Sequence, residues 1–193
     1  MMVILPLTLD ARRNGEGFFI GIGSGGSHYY DDGLTDDIGA SKEEVSGTLK
    51  YYMGYKYDHE FTLEGSVTSY GAYDMKKDDK RLERLEPLAF SIALNYGADF
   101  VHNQVRPFII LGGGALWLHP IDSVLYSEEL FFSLHYGTGL LITPRFLRGL
   151  GFRVAYEADW SRFKAKREVV EAGGKSAYDN LFGSLYLGVQ YKF

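Results

Sequence analysis

A chain of 193 residues without a cysteine has no disulfide framework and no thiolate metal site. Its net charge of −5 is mild, and no basic stripe runs along it, which excludes the electrostatic footprint of nucleic-acid binding. The 24 glycines and 15 tyrosines favour short strands and turns over helices. No window approaches the ~18 consecutive apolar residues of a transmembrane helix; a transmembrane strand, which alternates, escapes that count.

Residues 1–16 hold a short apolar run that closes on Ala11. Without a basic stretch ahead of it, the run fits either the tail of a secretory signal or an extended N-terminal arm. From residue 17 to 193 the chain reads as one domain, because period-two alternation recurs eight times and no linker interrupts it.

The first predicted strand spans Gly17 to Tyr30, with Phe18, Ile20 and Ile22 opposite Gly21, Gly23 and Gly25. The second, Val45 to Tyr57, sets Leu49, Tyr51, Met53, Tyr55 and Tyr57 against Thr48, Lys50, Gly54 and Lys56. The third runs from Phe61 to Tyr73 and the fourth, very regular, from Leu85 to Phe100. The fifth, Arg106 to Leu118, is phased by Gly112 and Gly114 because Ile109, Ile110 and Leu111 are continuous. The sixth covers Leu130 to Ile142, the seventh Leu150 to Trp160, and the eighth Leu181 to Phe193.

Connections alternate in length. Residues 31–44, 74–84, 119–129 and 161–176 form long, charged loops, whereas 58–60, 101–105 and 143–149 are short. Sequential antiparallel strands put odd connections at one end and even ones at the other. The long loops therefore share one rim, and the short turns and both termini share the other.

Alternation alone does not say which face is wet, since a soluble up-and-down barrel such as a lipocalin also alternates. The composition of the second face decides. It is mostly Gly, Ala and Ser with a few charges, which suits the crowded lumen of a narrow barrel. The other face carries Leu, Val, Phe and Tyr, which suit lipid. The strands match the ~9–11 residues a tilted transmembrane strand needs. Aromatics gather toward strand ends as interfacial belts would: Tyr55, Tyr57, Phe100, Tyr191 and Phe193 at one rim, and Tyr30, Tyr73, Trp117 and Trp160 toward the other. The predicted fold is all-β: an eight-stranded antiparallel up-and-down transmembrane β-barrel.

The stretches "VRPFIILGGGALWL", "HYGTGLLITPRFLRGLGFRVAYEADW" and "LYLGVQYKF", with the opening "GFFIGIGSGG", resemble strands of the small bacterial outer-membrane barrels of the OmpA/OmpX type. The resemblance covers nearly all of residues 17–193. It implies residence in a Gram-negative outer membrane, with long loops extracellular and short turns and termini periplasmic. It also implies that the terminal aromatic is read by the barrel-assembly machinery, a role that carries over to Phe193 with Tyr191. No peptidoglycan-binding domain follows Phe193, so the anchoring role of two-domain members is not implied.

By parity the inner face carries Lys50, Lys56, Glu64, Asp99, His135, Arg153, Glu157, Asp159, Gln190 and Lys192. Charges of both signs in a narrow lumen must pair, because an unpaired buried charge costs roughly several kcal/mol. Lys50, Glu64, His135, Arg153 and Glu157 are the expected polar network, read as a plug of salt bridges, with a gated conduit for small ions as the sharper alternative. Eight strands leave an interior about wide enough for their own side chains, which disfavours a general pore.

The barrels that modify lipid A require an enzyme reading to be weighed. His135 points inward, and His28 faces lipid without an evident partner, so no nucleophile, base and orienter can be assembled. The acidic 31–44 loop lacks the spacing of an EF-hand, and no cofactor or metal site is expected. The 74–84 and 161–176 loops are basic and suited to lipopolysaccharide phosphates; adhesion to host or other cell surfaces is equally compatible. The sequence is thus read as a monomeric, non-enzymatic scaffold in contact with membrane lipid and lipopolysaccharide, displaying four loops for surface interaction. The alternatives are a small-conductance channel and a lipid A-modifying enzyme.

Overall fold

Strict alternation of bulky apolar with small or polar residues produces long strands here, because successive side chains of a strand point to opposite faces. The computed structural model describes residues 16–44, 47–77, 80–100, 104–118, 125–126, 129–171 and 173–193. The reading of residues 1–15 lies outside them, and the 119–129 loop is described only at Leu125, Tyr126 and Glu129.

In chain order the strands are β1 Gly17–Tyr30, β2 Ser41–Glu44, β3 Thr48–Lys56, β4 Phe61–Ser69, β5 Tyr73–Lys77, β6 Lys80–Leu85, β7 Pro87–Gly97, β8 Val105–Leu118, β9 Leu130–Ile142, β10 Leu150–Lys164 and β11 Ala177–Lys192. Eight of them close into an antiparallel barrel in the order β1-β11-β10-β9-β8-β7-β4-β3. β1 and β11 make the seam, in register from Phe19 opposite Lys192 to Tyr30 opposite Leu181. Closure leaves the barrel no edge strand, as a hydrocarbon surround requires.

The faces are inverted relative to a soluble barrel. Ile92 is 67% exposed and Phe132 76%, whereas Lys50 and Glu157, on the inner face, are each 1% exposed. An apolar exterior around a charged, buried interior suits lipid outside and excludes the lipocalin-like alternative.

Two predicted strands need correction. The third does not reach Tyr73: β4 stops at Ser69, and Gly71, at φ 81°, turns the chain out of the barrel before β5 begins. The fourth does not start at Leu85, which ends β6; β7 starts at Pro87, where the missing N–H removes no ladder bond. Parts of the predicted 31–44 and 74–84 loops are ordered strands, since β2, β5 and β6 form a second sheet in the order β2-β5-β6 above the loop rim. Two short helices, α1 Leu34–Asp37 and α2 Arg167–Glu171, complete this cap. β10 and β11 also outrun their predicted bounds, with the ladder continuing from Ser161 opposite Asn180 to Lys164 opposite Ala177.

The short turns carry local chemistry. At 58–60, the N–H groups of Glu60 and Phe61 both donate to Asp58 Oδ1 at 2.7 Å, which tightens the β3–β4 hairpin. The Phe61 N–H and then the Glu60 N–H hold the Asp58 carboxyl below its ordinary range.

Candidate functional site

The lumen divides into three layers. The middle layer is ionic. Arg153 on β10 donates from Nη1 to Glu64 Oε2 on β4 at 2.7 Å and from Nη2 to Glu157 Oε1 at 2.7 Å. β4 and β10 lie four steps apart either way around the eight-stranded ring, so the Arg153–Glu64 bond spans the barrel's full width. Lys50 on β3 pairs with Glu157 Oε2 and lies 3.7 Å from Glu64 Oε1. Tyr186 donates its hydroxyl to Glu157 Oε1 at 2.6 Å.

His135 on β9 extends this layer. Its Nδ1 lies 3.2 Å from Asp159 Oδ2 and its Nε2 3.2 Å from Glu157 Oε2. Tyr70 donates to Asp159 Oδ2 at 2.6 Å and Ser133 to Asp159 Oδ1 at 3.2 Å. Carboxylates accept only, so a neutral ring would set a lone pair against one of the two acids. As an imidazolium, His135 joins Lys50 and Arg153 to balance Glu64, Glu157 and Asp159. A nitrogen NMR spectrum at neutral pH is expected to show protons on both His135 ring nitrogens; a single-proton tautomer would contradict the balance.

Sequence reasoning missed the aromatic packing around this layer. The Arg153 guanidinium carbon lies 4.5 Å from the Phe108 ring centroid, 4.7 Å from that of Tyr52 and 5.9 Å from that of Tyr186. These rings add cation–π attraction and fill the bore. Glycines make the room: a Cβ on Gly21 would lie 2.3 Å from the Tyr52 ring, and one on Gly23 would lie 2.5 Å from that of Tyr186. The signal was present, since Tyr52 and Tyr186 sit in phase with Lys50 and Ser184.

The layer at the loop rim is largely apolar. Tyr29, Tyr70, Leu116, Leu118, Phe163 and Phe182 are among the buried side chains that fill it together with the cap. Tyr29 stacks on Phe182 with centroids 4.4 Å apart and donates its hydroxyl to Asn180 Oδ1 at 2.6 Å. Tyr73 belongs here and corrects its expected interfacial position. It is 2% exposed, 5.4 Å from the Tyr29 ring, because β5 left the barrel for the cap sheet. Of the other aromatics expected at the interfaces, Tyr30, Tyr57, Phe100, Trp160, Tyr191 and Phe193 are exposed, while Tyr55 and Trp117 are half-buried.

The layer at the turn rim is an open vestibule. Lys56 Nζ lies 3.0 Å from Asp99 Oδ2, and His59 Nδ1 3.3 Å from the same oxygen. Arg106 donates to Asn95 Oδ1 at 2.8 Å and to the Glu60 carbonyl at 2.7 Å. A cavity of about 330 Å³ lies among them, lined also by Gln190, Lys192 and the 143–149 turn.

Ser133 and His135 do not make a nucleophile–base pair, because both hang from the Asp159 carboxylate and both are buried. His28, which showed no partner in the sequence, has one in the fold. Its ring stacks on Tyr156 at 5.7 Å across Gly183, with Tyr156 Oη 3.3 Å from Nε2.

A closed eight-stranded β-barrel is also the architecture of solved proteins. The N-terminal β-barrel domain of Pseudomonas aeruginosa OprF superposes with a TM-score of 0.50 at 14% identity, covering 91% of this chain and 97% of that one. The outer membrane protein OprG of the same organism gives 0.51 at 16% identity, covering 92% and 96%. The outer membrane protein AlkL, solved in lipid bilayers, gives 0.53 at 10% identity, covering 100% and 98%. The chain has the fold of the small outer-membrane β-barrels. No protein-family model and no curated protein matches its sequence. Identities this low carry the barrel architecture and leave the charged layer to be read from this chain's own residues.

Proposed function

We propose that the protein is a monomeric, non-conducting scaffold of a bacterial outer membrane, with its loop rim and cap at the cell surface and its turn rim in the periplasm. The observation that carries this reading is the filled lumen. Among the described residues, a largely apolar layer under the cap and a charge-balanced layer beneath it fill the lumen between the loop rim and the vestibule. The ordered cap gives the loops a fixed surface to present rather than a flexible fringe.

Basic side chains around the loop rim, including Arg162 and Arg167, are exposed and suited to lipopolysaccharide phosphates or to an anionic cell-surface ligand. Tyr191 and Phe193, with ring centroids 5.2 Å apart at the end of β11, are the proposed contact for the barrel-assembly machinery.

Planar-bilayer recording tests the filled lumen: the intact protein is expected to give no steady conductance. A large, stable open level would instead favour the small-channel reading. Deleting cap segments 31–44 or 74–84 is expected to reduce cell adhesion and serum survival while leaving heat-modifiable migration in detergent gels unchanged.

A further inference from the structure

The geometry points to a binding site for a small dianionic oxyanion in the vestibule at the turn rim. Four observations converge. The cavity, about 330 Å³, lies at the lower end of the roughly 300–1,000 Å³ typical of ligand pockets. Six Lys and Arg side chains line it against two carboxylates, Glu64 and Asp99. The surplus survives even when Glu157, deeper in the lumen, is set against Arg153. Two of the cations, Arg106 and Arg153, are 4% and 2% exposed, and each keeps a buried Nε–H without a hydrogen-bond partner, that of Arg106 lying 4.0 Å from Asp99 Oδ1.

An orphaned donor on a buried guanidinium is costly, and an oxyanion that accepts from it removes that cost. Planar guanidinium groups suit carboxylate and phosphate oxygens, which accept two parallel N–H bonds. Arg145 and Arg148, on the turn that borders the mouth, are exposed and add positive potential at the entrance, which raises the local concentration of anions. The middle layer carries no such surplus, so the excess positive charge lies at the turn rim, with Arg153 bordering the cavity from the middle layer. It goes beyond the scaffold reading and depends on neither the orientation of the barrel nor the role of the loops.

The test uses the full chain, purified in zwitterionic detergent and titrated with inorganic phosphate and with succinate. Saturable binding of both, with shifts of the Arg106 and Arg153 Nε–H signals in NMR spectra, is the expected result. R106Q is expected to weaken binding about tenfold or more, the scale of a lost charge-assisted hydrogen bond, and the double variant R145Q/R148Q to weaken it by lowering the positive potential at the mouth. The double variant changes only exposed turn residues, so it remains informative if R106Q does not fold. Absence of saturable binding, or undiminished binding in R145Q/R148Q, would each overturn the assignment.

Discussion

Replacing Arg153 with methionine is expected to destabilise the barrel by about 3–5 kcal/mol, the cost of leaving buried charge uncompensated. Arg153 holds Glu64 across the full width of the lumen and Glu157 on its own strand, both at 2.7 Å. Without it, two acids at 1–2% side-chain exposure share only Lys50, with His135 already divided between Glu157 and Asp159. Methionine keeps much of the volume and can still lie among Phe108, Tyr52 and Tyr186, so the loss reports charge rather than a cavity. Urea unfolding from lipid vesicles, followed by the fluorescence of Trp117 and Trp160, measures it. The double variant R153M/E64Q is expected to recover part of the loss, because one of the stranded acids is then neutral. If R153M unfolds at the parental urea concentration, the ionic layer does not stabilise the barrel.

The second large effect is expected inside a single glycine run. In "LGGGALWL" of β8, Gly112 and Gly114 face the lumen and Gly113 faces outward. A Cβ on Gly114 would lie 1.8 Å from the Phe90 carbonyl oxygen and 2.8 Å from Ser91 Cα, both of them backbone atoms of β7. Relief requires the two strands to move apart, and overpacking of this kind costs roughly 1–3 kcal/mol. On Gly113 the nearest atom would be the Phe132 ring carbon at 3.2 Å, the end of a side chain that can turn into lipid. G114A is therefore expected to lower the unfolding midpoint clearly, and G113A hardly at all. Equal effects from the two would show that the register between β7 and β8 differs from Ser91 opposite Gly114.

The same run shows how much of the fold is legible in one dimension. The bounds of β1 and β9 coincide with their predicted spans, because strict alternation of Phe, Ile, Leu and Tyr with small residues marks which positions can face lipid. Closure and order follow from alternating long and short connections. Legibility fails where alternation continues but the chain does not stay in the wall. Phe61, Leu63 and Val67 alternate with Thr62, Glu64, Ser66 and Thr68, and Tyr73 falls in the same phase, yet the chain leaves the barrel at Gly71 and Tyr73 enters the cap core. The cap sheet escaped for the same reason, since its short, charged strands are stabilised by packing on the loop rim and read locally as loop.

Composition and period two, by themselves, determined an eight-stranded barrel with an apolar outside and placed Lys50, Glu64, His135, Arg153 and Glu157 on its inner face. Both are local properties, repeated every two residues along the chain. Which charges meet is not local. Arg153 reaches Glu64 from 89 residues away, Lys50 reaches Glu157 from 107, and His28 finds Tyr156 across Gly183 from 128. These meetings depend on the closure and stagger of the ring, which bring strands distant in sequence to one height. The apolar layer under the cap and the cationic vestibule at the other rim have the same origin, and only the tertiary structure decided them.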